Sequence, residues 1–239
     1  MRSERWAALD GARGAAMAWM TVFHFCFDLQ HAGYLKADFY NDVLWTAQRT
    51  AIVSLFLLCA GAACTMNPPW PRFWRRWAQI VGAALLVSAG SYLMFPSSFI
   101  YFGVLHGMAV MTLLTRLALR FSNAKLLVLG ACIVALQQAA PWLHSQFNLA
   151  VFNTPALNWL GFISHKPITE DHVPVMPWWG VMLWGAVLAR TWGPYLAALR
   201  LPRQLSPLTW LGRHSLLYYL VHQPVMIGLI MAWGWLHGR

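Results

Sequence analysis

Residues Leu9–His31 read LDGARGAAMAWMTVFHFCFDLQH. A run of about 20 mostly apolar residues is long enough to cross the hydrocarbon core of a bilayer as a helix. This run also carries two carboxylates, an arginine and two histidines. At about 100° per residue, Arg13, His24 and His31 project within about 20° of one another, with Asp10 and Asp28 about 60° away. The result is a polar stripe along one side of an otherwise apolar helix. Ionisable groups are costly in hydrocarbon and normally face a protein interior or a wet cavity. Such a helix needs partner helices to cover its stripe.

The rest of the chain supplies them. Of 239 residues, 59% are hydrophobic and only 10% charged, with 15 tryptophans. Soluble globular domains carry about a quarter charged residues, and disorder needs low hydrophobicity, so both classes are excluded. Apolar runs fall at about 9–29, 44–66, 76–95, 99–119, 124–142, 175–193 and 212–236, which predicts an all-α, polytopic transmembrane helical bundle of about seven spans. The first run has a polar start and further spans behind it, so it is not read as a cleaved signal peptide. We expect one transmembrane domain covering 1–239. Cys26, Cys59, Cys64 and Cys132 each sit inside an apolar run, as buried small hydrophobes do, and form no CxxC pair.

The net charge of +10 would suggest nucleic acid in a soluble chain. Here the basic residues sort by connection. Arg2, Arg5, Arg13, Arg72, Arg75, Arg76, Arg116, Arg120, Lys125, Arg190, Arg200, Arg203 and Arg213 fall on one side, against Lys36, Arg49, Lys166 and Arg239 on the other. Lys and Arg stay on the side from which helices insert, so we expect a cytoplasmic N-terminus and an external C-terminus. No nucleic-acid partner is needed to explain the charge. The outer side then holds two unusual connections. One, Asp28 to Asp42, contains three aspartates and His31. The other runs from Pro141 to Pro174 and contains His144, His165, Lys166, Glu170, Asp171 and His172. Long loops in compact proteins are more often functional than idle.

Further polar groups lie inside the other runs. The last, LGRHSLLYYLVHQPVMIGLIMAWGWL, places His214, Tyr218 and His222 at i+4 steps on one face, with Gln223 adjacent and Pro224 after it. His106 is a third intramembrane histidine, and Arg49 sits just inside the outer end of the second run. A lone histidine in such a place is more often a satisfied structural group than a reactive one. Four helices contributing such groups point instead to a shared interior cavity. His24 and Asp28, one turn apart, form a pair in which the carboxylate can orient the imidazole. Asp10 and Arg13 can equally be a simple ion pair at the inner interface. There is no Walker loop, GxGxxG, HExxH or GxSxG. Haem would want a repeated pair of axial histidines, and we expect neither haem nor metal.

Several segments resemble a known family. The opening R-x-x-x-L-D-x-x-R-G, Arg5 to Gly14, continues to FHFCFDL at Phe23 to Leu29; DHVPVMPW spans Asp171 to Trp178, and LGRHSLLYYLVHQP spans Leu211 to Pro224. In this order they resemble the bacterial DUF1624 family, related to heparan-alpha-glucosaminide N-acetyltransferase within the transmembrane acyltransferases. The resemblance implies an enzyme of a bacterial inner (plasma) membrane that takes an acetyl group from cytosolic acetyl-CoA and delivers it to an amine or hydroxyl, typically of a sugar, on the far side. The chain is shorter than the lysosomal relative, whose site pairs a first-helix Asn with a loop His. Here the Asn position holds His24 and the loop position falls on Leu35, with His31 four residues before it.

These readings combine into one site. Thioester acyl transfer needs a base, an oxyanion donor and a fixed donor group. We expect His24, oriented by Asp28, or alternatively His31, to be the base. Arg13, Arg213, His214 and His222 are expected at the acyl-CoA, with Arg72 or Arg76 as further phosphate ligands. Arg49, His106 and Asp171 are expected at the acceptor. A transporter or flippase for a small polar or lipid-linked molecule could use the same cavity, although it would favour inverted repeats, and none is visible. A non-catalytic assembly partner would leave the aligned intramembrane charges unexplained.

Overall fold

A computed structural model describes residues 6–237, so Arg2 and Arg5 of the inner basic group and Arg239 of the outer one lie outside the described residues. Those residues form eight α-helices and no strand: α1 Ala7–His31, α2 Val43–Cys64, α3 Trp70–Met94, α4 Val104–Ala118, α5 Asn123–Gln146, α6 Val175–Ala198, α7 Ser206–Arg213 and α8 Ser215–Leu236. Each of the seven apolar runs lies on a helix. Four of them, α2, α3, α5 and α8, are long and apolar enough to cross a membrane. The 15 residues of α4 rise only about 22 Å. Polar groups dilute α1, while Trp178, Trp179, Trp184, Trp192 and Arg190 dilute α6.

Three boundaries differ from expectation, each for a local reason. The fourth helix starts at Val104 rather than near residue 99, because Phe102 pairs its backbone with His172 in an isolated parallel bridge. The outer connection expected from Pro141 begins only after Gln146, since α5 continues through Pro141. An internal proline removes one hydrogen bond and is tolerated where neighbours satisfy the freed carbonyl. The last run is two helices, broken at His214, whose φ of −106° and ψ of 18° are not helical.

The chain forms two compact units, one containing residues 1–56 and 194–239 and the other residues 57–193. In the first, α1 packs on α7 with backbones nearly touching. A Cβ on Gly14 would fall on the Leu208 carbonyl, and one on Gly212 on the Asp10 carbonyl. Small residues let membrane helices approach this closely. Met17, Met20, Phe23, Phe39 and Ile52 form the buried core of this unit. Phe39 anchors the connection after α1, its ring 4.1 Å from that of Trp45 and edge-on to Phe23 at 5.5 Å. Asp38 shapes the same connection by accepting from Asn41 Nδ2 and from the backbone N–H groups of Asn41 and Tyr40. Those three donors hold its carboxyl below the usual range.

In the second unit, residues of α2 and α6 make a reciprocal contact of the same kind. A Cβ on Gly61 would meet the Met182 carbonyl, and one on Gly185 the Leu58 carbonyl. Ala118, Leu126, Ile133, Leu183 and Val187 form the core beside them. Trp77 and Trp179 tie neighbouring helices by donating to Ala109 O at 2.9 Å and Thr115 Oγ1 at 3.2 Å. Meanwhile Leu85, Leu86, Val128, Leu217, Leu229 and Met231 are exposed. So much outward apolar surface suits lipid rather than water.

Candidate active site

The 25-residue α1 carries the stripe, and in the first unit α8 supplies the facing side. Gln223 Nε2 donates to Asp28 Oδ1 at 3.4 Å, which leaves its Oε1 to accept from His24 Nδ1 at 3.0 Å. This chain of bonds fixes the His24 tautomer: the proton is on Nδ1 and the lone pair on Nε2. Asp28 and His24 are thus coupled through a glutamine of the facing helix, rather than in the direct i,i+4 contact expected from spacing. The other carboxylate oxygen, Asp28 Oδ2, is buried without a hydrogen-bond partner.

His222 completes the group. Its ring centroid lies 5.3 Å from that of His24 and it stacks on Tyr218 at 5.6 Å. Its Nδ1 donates to the Tyr219 carbonyl at 2.8 Å, so Nε2 carries a lone pair, buried and unpartnered. Tyr218 OH and Thr21 Oγ1 are 2.6 Å apart, and Thr21 donates to the Met17 carbonyl. Tyr218 therefore donates to Thr21, and neither hydroxyl has a proton to spare. Imidazole nitrogens with available lone pairs and an unpaired carboxylate oxygen gather here, a set suited to moving protons.

A second polar group sits at the opposite end of α1. Asp10 is buried, with Arg13 at 3.3 Å and Arg213 Nε at 3.2 Å from its two oxygens. Arg13 also donates to the Gly212 carbonyl at 3.5 Å. The close α1–α7 approach makes these contacts possible. Two guanidinium groups against one carboxylate leave a net positive charge at this end.

The remaining expected residues are placed as follows. His31 ends α1, exposed, one turn beyond Asp28, and Arg49 lies half-buried on α2. His214 is exposed at the α7–α8 break, where it donates to the Trp210 carbonyl at 2.9 Å. His106 and Asp171 come together in the second unit, at the N-terminus of α4. Asp171 Oδ2 accepts from Val104 N at 2.7 Å; His106 Nδ1 accepts from Gly103 N at 3.3 Å and its Nε2 donates to Ser88 Oγ at 3.1 Å. Both ring nitrogens of His106 are thus engaged, Nδ1 at the N-terminus of α4 and Nε2 with a side chain of α3. In the adjoining outer connection, burial and then the charge of Lys166 push the His172 imidazole down to about 4. Among the described residues, no three of His, Cys, Asp and Glu gather as metal ligands.

A family model described as heparan-alpha-glucosaminide N-acetyltransferase, catalytic, matches residues 5–224. The chain belongs to that family. Members of the heparan-alpha-glucosaminide N-acetyltransferase family are membrane acetyltransferases that generally take acetyl-CoA as donor, and the four long apolar helices fit an integral membrane protein. The matched stretch ends at Pro224 and so includes His24, Asp28, His222 and Gln223. No curated protein and no solved structure matches the chain. Within this family member, Gln223 is the site residue that sequence reasoning left out. Its only signal was its place beside His222 and before Pro224.

Proposed function

We propose that this protein transfers an acetyl group from cytosolic acetyl-CoA to an amine or hydroxyl of a sugar on the external side, across a seven-span bundle with a cytoplasmic N-terminus. The observation that carries the reading is the line Asp28–Gln223–His24, which leaves His24 Nε2 as a base beside His222. His24 Nε2 takes a proton from the acceptor as its nitrogen or oxygen attacks the thioester carbonyl. The tetrahedral intermediate collapses, the carbon–sulfur bond breaks, and the imidazolium returns its proton to the departing thiolate. Asp28, through Gln223, favours the imidazolium formed in between. The net positive charge of Arg13, Arg213 and Asp10 suits the phosphates of the donor. About 16 Å of helix separates Arg13 from His24, a span of the order of a pantetheine arm. Purified protein given acetyl-CoA and glucosamine should release CoA thiol, and His24→Ala should abolish turnover while acetyl-CoA still raises the melting temperature. Retention of wild-type turnover in that variant would reject His24 as base. The same result in His31→Ala, with His24→Ala inactive, removes His31 from the role.

A further inference from the structure

The second unit holds a cationic feature that acetyl transfer as described does not use. A cavity of about 370 Å³ is lined by Thr65, Asn67, Arg116, Leu119, Arg120 and Arg190, bringing three guanidinium groups around one space. No carboxylate lines it. The only carboxylates in residues 57–193 are Glu170 and Asp171; the first accepts from Ser98 Oγ and the second caps α4 at Val104. Arg116 is twelve residues further along α4 than Val104, roughly 18 Å along the axis.

The arginines are held in place from outside the cavity. The Arg116 guanidinium lies over the rings of Trp70 at 4.1 Å and Phe73 at 4.6 Å, and its NH2 donates to the Pro68 carbonyl at 2.8 Å. Its Nε is buried with no hydrogen-bond partner. Arg190 donates to the carbonyls of Phe121 and Leu119 just past the end of α4, where the helix dipole is negative. Arg120 lies over the Phe121 ring at 5.3 Å and makes no hydrogen bond within the described residues. Each guanidinium offers five N–H groups, so donors outnumber the carbonyls that use them. Three guanidinium groups with spare donors around one space are the arrangement that an oxyanion relieves. Trp70, Trp74 and Trp77 cluster ring to ring next to the site, the composition of the membrane–water interface at headgroup level.

We infer that Arg116, Arg120 and Arg190 form a phosphate-binding site, with bidentate guanidinium contacts to a phosphoryl group at the membrane interface. Two sources carry that chemistry, a phospholipid headgroup and a soluble phosphate ester. The site does not depend on the acetyl-transfer reading, and its test reads binding alone. Arg116 braces the turn before α3, so Arg116→Ala can fail by misfolding; Arg120→Ala, which breaks no hydrogen bond, carries the test, with the exposed Arg75→Ala as a control for general surface charge. Protein in phosphatidylcholine nanodiscs is titrated with inorganic pyrophosphate, following the melting temperature. In parallel, native mass spectrometry counts phosphatidylglycerol retained from mixed nanodiscs. Saturable binding of either probe, weakened roughly ten-fold by Arg120→Ala and unchanged by Arg75→Ala, is expected. Pyrophosphate binding that weakens in Arg120→Ala identifies a soluble phosphate, whereas retained phosphatidylglycerol alone identifies a lipid. Absence of saturation in both arms, binding unchanged in Arg120→Ala, or equal loss in Arg75→Ala, overturns the site.

Discussion

Gln223→Leu is the sharpest test of the coupling between α1 and α8. The substitution keeps the size and apolar surface of the side chain but deletes both of its bonds. His24 Nδ1 loses its acceptor at 3.0 Å, and Asp28 Oδ1 loses its donor at 3.4 Å. Because Asp28 Oδ2 is already unpartnered, the carboxylate would then be buried with neither oxygen bonded. In the ground state the His24 bond is a neutral one, of about 1 kcal/mol net. During proton transfer Nδ1 becomes part of an imidazolium, and the same bond becomes charge-assisted, of about 1.5–3 kcal/mol. Only the difference, about 0.5–2 kcal/mol, is lost from the transition state alone, so at about 1.36 kcal/mol per ten-fold kcat should fall about 2- to 30-fold, less than in His24→Ala because the base itself survives. The KM for acetyl-CoA should stay nearly constant, since the donor meets neither lost bond. The assay is initial CoA-thiol release by purified protein, with the melting temperature as a check on folding. Gln223 is a positioning residue in this scheme, so the acid limb of its pH–rate profile should move as well. A folded Gln223→Leu protein with unchanged kcat and an unshifted profile would refute the argument, leaving Asp28 no route to His24.

Other expectations follow from the remaining geometry. Gly14→Val places side-chain carbons on the Leu208 carbonyl and should destabilise by at least the ~1–3 kcal/mol typical of overpacking, seen as a lower melting temperature; an unchanged melt would mean that α1 and α7 do not touch there. The depressed His172 sets a pH dependence. Above about pH 6.5 the imidazole is neutral folded or unfolded, and between 6.5 and about 4 only the unfolded chain takes the proton. Stability should therefore fall with pH across that window, and His172→Leu should flatten the fall; a profile identical to wild type sinks the assignment. Finally, in a background lacking native cysteines, an impermeant thiol reagent on intact cells should label Lys166→Cys and not Lys125→Cys. The opposite pattern would invert the proposed orientation and put His24 near the wrong face.

How much of this was legible in the sequence depends on the range of the interaction. Hydrophobic runs and the 3.6-residue period are local, and they located seven of the eight helices and the stripe of α1. The break at His214 was not legible, because Gly212-Arg213-His214 contains no proline; in the fold it follows directly on the close seat of Gly212 against Asp10. Similarly, His24 and His106 read alike as intramembrane histidines. Only the fold shows that His106 is held at both nitrogens while His24 keeps one available. Gln223 has no charge to draw notice, and its partners lie 199 and 195 positions away in the chain. A bond of that separation leaves no periodic trace.

The two polar groups of α1 also act together mechanically. The Arg213–Asp10 ion pair pins one end of the helix, and the Gln223–His24 bond pins it again, roughly 21 Å further along. Held at a single pin, a cylinder of this kind can swivel about its own axis, and a swivel of about 20° displaces the side-chain tips by about 2 Å. Two pins on one side, anchored to the same α7–α8 arm, remove that freedom. They also turn α1 into a lever, since force applied at the arginine end cannot dissipate as rotation and must arrive at His24 as tilt or translation.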